Sequence, residues 1–294
     1  MLNIYVDPGV KDVEVFTKVM GEGDAEYNVF STIDSIRPAK VDVAVVWLST
    51  PHCLSEFVNL KLLLISGSGI DHLVKEGKLP DVPTVRLVDF KLRNKVANYV
   101  LAAVNDYKKA IQATQASEIT VGLLGVGLIG KSNYYKLKEA GYQLNCWVRS
   151  NKTRDFDNVY VGQESLTNFV KHSNILVCQL PSTDETYHIL DMKIFDLMPK
   201  NGYIINVGRG THLNEFDLIK AIDEGKLYGA CLDVFKLDPL PVDNILRNQN
   251  TIKLTPHTAG GIFPENQAKY AVKVIASFFK QGKVEGLVNK EMNY

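Results

Sequence analysis

Three segments of the sequence carry an arginine, an aspartate and a histidine, residue types that bind anions and exchange protons. They are residues 206–210, 232–241 and 255–260, and each lies at the end of a predicted β-strand. Because the carboxyl ends of parallel strands meet at one edge of a sheet, we expect Arg209, Asp238 and His257 to converge on one crevice.

A glycine-rich motif lies directly after the predicted strand 119–124 and before a predicted helix. It has the spacing GxGxxG, formed by Gly125, Gly127 and Gly130, with Leu128 and Ile129 inside it. These glycines allow a tight turn, a close approach of the backbone to a pyrophosphate and close packing of helix on strand. The helix N-terminus adds N–H donors for the phosphates. Glycines also form ordinary turns, but this context favours a dinucleotide site.

The turn after the next predicted strand bears on the choice of cofactor. NAD-binding domains usually end this strand with an acidic residue that accepts hydrogen bonds from the adenosine ribose. Val148 takes that position, and Arg149, Ser150 and Lys152 follow it. Since paired N–H donors suit a 2′-phosphate, we predict NADP(H), with NAD as the alternative. These basic residues can also form only a solvated turn.

The order of the predicted elements indicates an α/β protein with two doubly wound parallel sheets. The first part of the chain has predicted strands at 2–6, 41–48 and 61–66, followed by a long helix at 94–113. The second part has predicted strands at 119–124, 144–148, 175–179, 203–207, 229–234 and 251–254, with amphipathic segments at 131–140 and 215–224. Strands that are apolar throughout indicate burial on both faces of a sheet.

We predict two domains, one of which is discontinuous. Residues 1–90 form the first part of a smaller, flavodoxin-like substrate domain, residues 91–264 form a Rossmann dinucleotide-binding domain, and residues 265–294 return to the first domain through a helix at 264–281. A chain of 294 residues fits two domains better than one.

Composition excludes some classes of partner. Lys plus Arg equals Asp plus Glu at 33 each, so no global field favours nucleic acid. The first residues lack the pattern of a signal peptide and no apolar run approaches a membrane span, so we expect a cytoplasmic protein. The four cysteines are widely spaced and form no CxxC pair, which favours buried free thiols over a metal site. No metal ligands are predicted.

With these motifs in order, the chain resembles the D-isomer-specific 2-hydroxyacid dehydrogenases over nearly its whole length. Within that family it looks closest to the NADPH-preferring glyoxylate/hydroxypyruvate reductases, whose cofactor loop likewise combines a Trp with an Arg and a Ser. Residues 66–72 (SGSGIDH) and 180–186 (LPSTDET) are further matching pieces.

The resemblance implies roles for individual residues. His257 would exchange the proton, and Arg209 would hold the carboxylate and carbonyl of a small 2-keto acid. The N–H groups of Ser68 and Gly69 would complete carboxylate binding from the opposite domain. The resemblance also implies cofactor contacts at Pro181, Thr186, Val207 and Asp233, a substrate-pocket wall at Trp47, and a homodimer formed through the cofactor domains. Asp233 has the alternative of a structural carboxylate, and Trp47 that of a domain-packing aromatic.

The chain departs from the family pattern at three places. Asp238 stands where the family usually has Glu as the partner of the histidine, and the shorter side chain predicts a lengthened bond unless the loop moves inward. The linker at 107–118 is short and lacks the usual Trp, and Asn98 replaces a frequent Glu. The remaining histidines, His212 among them, match no catalytic position, and we interpret them as surface or packing residues.

The predicted function is hydride transfer from NADPH to a small 2-keto acid such as glyoxylate or hydroxypyruvate, which gives a D-2-hydroxy acid. The alternative is a cofactor-sensing regulatory protein, similar to the corepressors that share this fold. The absence of an appended tail or charge run favours the enzyme.

Overall fold

The computed structural model describes residues 1–22, 27–32, 35–47, 52–71, 73, 79–149, 156–282 and 284–289. The chain divides into two compact units. The first comprises Met1–Leu92 and Ile262–Tyr294, and the second comprises Arg93–Gly261.

The first unit is built on a five-stranded parallel sheet. Its strands are β1 (Leu2–Val6), β2 (Tyr27–Phe30), β3 (Val43–Val46), β4 (Leu62–Ile65) and β5 (Thr84–Arg86), in the order β2-β1-β3-β4-β5. In the described part of this unit, helices α1 (Val13–Gly21) and α7 (Pro264–Gln281) contribute to its core. Phe16 and Met20 of α1 and Val274 and Ile275 of α7 pack with the inward faces of the strands in one apolar cluster. The return of the chain at 262–294 therefore completes the core of this unit.

The second unit is built on a seven-stranded parallel sheet. Its strands are β6 (Thr120–Leu124), β7 (Gln143–Val148), β8 (Val159–Val161), β9 (Ile175–Cys178), β10 (Gly202–Asn206), β11 (Leu227–Leu232) and β12 (Ile252–Leu254). The order is β12-β11-β10-β9-β6-β7-β8. The chain runs outward from β6 to β8, then returns to the other side of β6, which is the doubly wound order of a Rossmann domain. The topological switch point lies between β6 and β9, directly beyond the glycine motif.

Along the chain, the described helices of the second unit lie between its strands. They are α3 (Leu128–Glu139), α4 (Leu166–Lys171), α5 (Met192–Leu197) and α6 (Glu215–Asp223), and the long α2 (Phe90–Ala110) begins in the first unit and continues into the second. Helix α2 begins four residues before the predicted start because the Asp89 carboxylate accepts the N–H groups of Lys91 and Leu92 at 2.7 and 3.1 Å. Such a cap satisfies donors that the first turn leaves unpaired.

The described cysteines agree with the expectation of buried thiols. Cys146, Cys178 and Cys231 are free and buried. Burial raises the pKa of Cys146 and Cys178 to about 12, so neither thiol is a nucleophile near neutral pH. Among the described residues, no cluster of three or more His, Cys, Asp or Glu side chains is placed to hold a metal ion. No helix in the described part of the chain is both long and apolar enough to cross a bilayer.

Candidate active site

The carboxylate of Asp233, just beyond β11, organises the loop that carries His257. Its Oδ1 accepts the N–H of Thr258 at 2.7 Å and the hydroxyl of Thr255 at 2.6 Å, and its Oδ2 accepts the N–H of Ala259 at 2.8 Å. The Asp233 carbonyl also accepts the N–H of His257 at 3.0 Å. Asp233 is buried. Both carboxylate oxygens are therefore engaged by the loop, which favours the structural-carboxylate alternative for this residue.

The hydrogen bonds to Asp233 hold His257 in an unusual backbone conformation. The φ angle of His257 is 54°, in the left-handed region that a non-glycine residue rarely adopts. A left-handed residue persists only where the surrounding bonds over-determine it, and here the Asp233 bonds lie on both sides of His257. The hydrogen bonds of this loop therefore fix the backbone position from which the His257 imidazole extends.

Tyr99 of α2 supports the same loop from a third side. Its hydroxyl lies 2.6 Å from the Thr255 hydroxyl, which already donates its proton to Asp233, so Tyr99 is the donor to Thr255. Burial raises the pKa of Tyr99 well above its ordinary value, which keeps the hydroxyl protonated. No motif in the sequence predicts this role for Tyr99.

Asp238 reaches His257 despite its short side chain. The Nδ1 atom of His257 lies 2.7 Å from Oδ2 of Asp238. This is an ordinary hydrogen-bond distance, so the bond is not lengthened and the alternative, a loop placed close enough for an aspartate, describes the structure. With Nδ1 engaged by the carboxylate, proton exchange with a substrate falls to Nε2. The imidazole is about half exposed, at 54%, which leaves it accessible from solvent.

Arg209 lies on the loop after β10, next to the loop after β11. Its carbonyl accepts the side-chain amide of Asn206 at 2.9 Å, and its Nη1 donates to the carbonyl of Gly208 at 2.8 Å. A Cβ atom on Gly210 would clash with the backbone of Phe235. Only glycine allows this close approach, which sets the Arg209 loop directly against the segment that leads to Asp238.

The loops of the three catalytic candidates therefore follow three adjacent strands. Besides the contact of Gly210 with Phe235, the N–H of Asp233 donates to the Asn206 carbonyl at 3.1 Å. The order β10-β11-β12 brings the loop of Arg209, that of Asp238 and that of His257 to the same edge of the sheet.

The glycine motif has the shape that a bound pyrophosphate requires. Gly125 has a φ of 88°, and a Cβ atom on Gly130 would clash with the carbonyl of Gly125, so the turn packs tightly against the start of α3. At Gly127, by contrast, a Cβ atom would meet no protein atom within 4 Å. The helix N-terminus thus opens onto free space at the one glycine whose backbone must approach the phosphates, and the residues fit a dinucleotide.

Gln179, directly after β9, stabilises this motif by hydrogen bonds. Its Nε2 donates to the Gly125 carbonyl at 2.6 Å, and its Oε1 accepts the side-chain amide of the buried Asn133 on α3. Gln179 therefore holds the glycine turn, and Asn133 holds Gln179. No motif in the sequence predicts either contact.

The predicted cofactor residues beyond the motif lie after β7 and on the loops after β9 and β10. Arg149 follows β7 and forms an ion pair with Glu185, with Nη1 and Oε2 2.8 Å apart. Ser150 and Lys152 lie outside the described residues. Thr186 is buried and donates its hydroxyl to the Pro181 carbonyl at 2.7 Å, and the N–H of Val207 donates to the Cys178 carbonyl at 3.0 Å. These last bonds hold the loops after β9 and β10.

Three predicted substrate-binding residues belong to the first unit, at the carboxyl ends of adjacent strands. Trp47 directly follows β3, is half-buried and packs against the apolar cluster of this unit, which favours the alternative of a domain-packing aromatic. Ser68 and Gly69 follow β4, and the Ser68 carbonyl accepts a guanidinium N–H of Arg86 at 3.3 Å.

Comparison with known proteins identifies the family. The sequence model described as D-isomer specific 2-hydroxyacid dehydrogenase, NAD binding domain, matches residues 91–259. The chain is also 33% identical to the glyoxylate/hydroxypyruvate reductase A of Yersinia enterocolitica over 274 residues, which cover 86% of this chain and 88% of that protein. The chain belongs to the D-isomer-specific 2-hydroxyacid dehydrogenase family. The predicted resemblance is thereby confirmed, and the chain is an oxidoreductase.

Solved structures of other family members share the whole architecture. A dehydrogenase from Xanthobacter autotrophicus in complex with NADPH matches with a TM-score of 0.88 and 29% identity, over 99% of both chains. The NADPH-dependent glyoxylate/hydroxypyruvate reductase of Sinorhizobium meliloti, in complex with NADP and sulfate, matches with a TM-score of 0.83 and 27% identity over 100% of both chains. The predicted fold class, with its Rossmann domain, is confirmed for this dehydrogenase.

Proposed function

We propose that this dehydrogenase reduces small 2-keto acids, such as glyoxylate or hydroxypyruvate, to D-2-hydroxy acids with NADPH. The observation that carries the proposal is the 2.7 Å bond between His257, after β12, and Asp238, after β11. The loop of Arg209 follows the next strand of the sheet, β10. The names of the relatives and the NADP complexes of similar structures agree with it.

The proposed mechanism uses the three candidate residues in distinct roles. When bound, NADPH supplies the hydride that reduces the carbonyl carbon. His257, oriented through Nδ1 by Asp238, donates a proton from Nε2 to the carbonyl oxygen and accepts it in the reverse direction. Arg209 binds the substrate carboxylate and carbonyl with its forked N–H donors, which also stabilises charge on the oxygen. Asp238 stabilises the charged imidazole before it gives up its proton.

Other parts of the proposal rest on the family resemblance. We assign binding of the substrate carboxylate to the N–H groups of Ser68 and Gly69, and a wall of the substrate pocket to Trp47. The first unit is then the substrate domain and the second the cofactor domain. We also propose a cytoplasmic homodimer that associates through the cofactor domains and has no nucleic-acid partner.

The proposed cofactor site is tested by the alanine substitution at Gly127. The backbone there is extended, with φ −66° and ψ −161°, which alanine tolerates, and no protein atom opposes the new methyl group. We expect Gly127→Ala to change the free energy of unfolding by less than about 1 kcal/mol. The methyl group nevertheless occupies the space for the pyrophosphate, so we expect NADPH affinity to fall about tenfold or more.

Isothermal calorimetry with NADP and chemical denaturation measure these two effects separately. Gly130→Ala is the contrasting variant, because its methyl group clashes with Gly125 and should lower stability as well. Unchanged NADP affinity in a folded Gly127→Ala protein would contradict the proposed position of the pyrophosphate.

The NADPH preference is tested at Arg149 alone. Val148 is only 8% exposed, so an acidic residue there would bury a carboxylate and confuse the result. A charge-assisted bond to the 2′-phosphate contributes about 1.5–3 kcal/mol, while the exposed pair with Glu185 that must give way is worth about 0–1 kcal/mol. We therefore expect Arg149→Gln to lower kcat/KM for NADPH about tenfold and to leave that for NADH nearly unchanged.

The control for Arg149→Gln removes a positive charge elsewhere on the same unit. Lys200 is exposed in the turn before β10, at the sheet edge opposite the strand ends that carry the site. Lys200→Gln should leave both cofactor values unchanged. An equal loss for NADPH and NADH in Arg149→Gln would argue against a contact with the 2′-phosphate.

The proposed activity itself is tested by following NADPH oxidation with a panel of 2-keto acids. We expect saturable turnover with the two- and three-carbon acids and a slower reaction with NADH. Absence of turnover with every acid and both cofactors would overturn the proposal.

A further inference from the structure

A second histidine lies three residues after Arg209, in the short 3-10 turn Gly210–His212. His212 is fully buried, with 0% of its surface exposed. The N–H of Arg209 donates to its Nδ1 at 3.1 Å, and its Nε2 lies 3.1 Å from the carbonyl oxygen of Pro181. One ring therefore connects the predicted substrate anchor with the loop after β9.

The two backbone partners define the protonation state of the His212 ring. A backbone N–H can only donate, so Nδ1 must carry a lone pair, and a carbonyl can only accept, so Nε2 must carry the proton. A proton on both nitrogens would set an N–H of the ring against the N–H of Arg209. The ring is thus neutral, in the Nε2–H form, and is distinct from the exposed His257 that exchanges protons.

The contacts around His212 form a seam between two loops. The hydroxyl of Ser182 lies 3.0 Å from that of Thr211, and the N–H groups of His188 and Leu190 donate to the carbonyls of Thr211 and His212 at 2.9 Å each. The segment 181–190, which carries the predicted cofactor contacts Pro181 and Thr186, is therefore fixed to the segment 208–213. His212 is the buried side chain that joins the Arg209 end of this seam to Pro181.

We propose that His212 is a positioning residue for keto-acid binding, which acts by fixing the backbone of Arg209 relative to the Pro181 loop. This inference rests on the proposed role of Arg209 as the substrate anchor. A guanidinium binds a carboxylate bidentately only when its backbone is correctly placed, because the two parallel hydrogen bonds demand a defined approach. The Arg209 carbonyl accepts the Asn206 amide, and the bond from the Arg209 N–H to His212 Nδ1 is the contact that ties the same backbone to the ring bound to Pro181.

Three substitutions at His212 separate the two bonds. Asparagine can place an oxygen near the Nδ1 position and keep the acceptor for Arg209, glutamine can place an NH₂ group near the Nε2 position and keep the donor to Pro181, and leucine loses both. We expect the KM for the keto acid to rise about tenfold in His212→Leu and His212→Gln and to stay within about threefold of wild type in His212→Asn. His172→Leu is the control, because His172 is exposed and, among the described residues, the bond given for its ring is to the Asn168 carbonyl of its own helix.

A purely structural role would give a different pattern. The losses in KM would then follow the loss of thermal stability, and asparagine and glutamine would be equally harmful. That result, or an unchanged KM in a folded His212→Leu protein, would overturn the proposal.

The wild-type protein supplies a test that no folding defect can obscure. Nitrogen-15 NMR of histidine-labelled protein distinguishes the two neutral tautomers from the cation, and His212→Asn assigns the signal. We expect His212 to remain in the neutral Nε2–H form at neutral pH, and a proton on Nδ1 would overturn the inference. If wild type shows no keto-acid turnover, the proposed function fails; if it turns over normally and only the His212 results differ, the positioning role alone fails.

Discussion

Replacing His257 by alanine is expected to lower kcat for keto-acid reduction by about two to four orders of magnitude. The proton must reach the carbonyl oxygen as hydride reaches the carbon, and solvent replaces an oriented imidazole poorly. NADPH affinity should remain near that of wild type, because the proposed pyrophosphate site lies at the glycine motif. Steady-state kinetics together with calorimetric titration of NADP measures both quantities.

Two further variants define the meaning of the His257 result. His172→Ala removes an exposed histidine of the same unit and should leave kcat unchanged. Asp238→Asn keeps the size of the partner but removes its charge, so it should depress turnover less than His257→Ala does. Near-normal turnover in His257→Ala would remove this residue from the mechanism, and wild-type turnover in Asp238→Asn would deny a functional role to the 2.7 Å contact.

Arg209→Lys is expected to lower kcat/KM for the keto acid about 100- to 1,000-fold while the positive charge is retained. A lysine is a point charge and cannot form the two parallel bonds of a guanidinium to a carboxylate. Charge-assisted hydrogen bonds contribute about 1.5–3 kcal/mol each, and loss of the paired geometry therefore accounts for about 3–4 kcal/mol of transition-state binding. Progress curves at varied keto-acid concentration give this value directly.

The control for this variant makes the same chemical change at an exposed arginine. Arg37 precedes a short 3-10 turn in the first unit, and Arg37→Lys should leave kcat/KM unchanged. If Arg209→Lys lowers kcat/KM by less than about threefold, the positive charge alone, and not the paired donors of the guanidinium, contributes to substrate binding. An equal loss of NADP affinity would indicate that Arg209 serves the cofactor rather than the substrate.

The sequence predicts the central strands of the fold better than the edges. Strands such as β9 and β10 are buried and apolar on both faces, which leaves a continuous signal in the sequence. The strands β2, β5 and β8 were not predicted, and each has only three or four residues and lies at the edge of its sheet. Strands β2 and β8 are only partly buried, so they need not be apolar throughout. The equally short edge strand β12 was predicted.

The sequence points to the candidate catalytic side chains more readily than to the residues that hold their loops. His257, Arg209 and the glycines have residue types tied to their chemistry. Tyr99, Gln179 and His212 each have a hydrogen-bond partner that is distant in the sequence, namely Thr255, Gly125 and Pro181, and no local sequence pattern predicts such a bond. The reach of Asp238 was likewise not predictable, because a loop shift of about one methylene group decides it.

The most direct test of the central claim is the stereochemistry of a single reaction. Hydroxypyruvate is incubated with NADPH and the wild-type dehydrogenase, and the glycerate formed is resolved by chiral chromatography while NADPH oxidation is followed by absorbance. We predict one molecule of D-glycerate for each NADPH oxidised. Formation of L-glycerate, a racemic product or no NADPH oxidation would contradict the account.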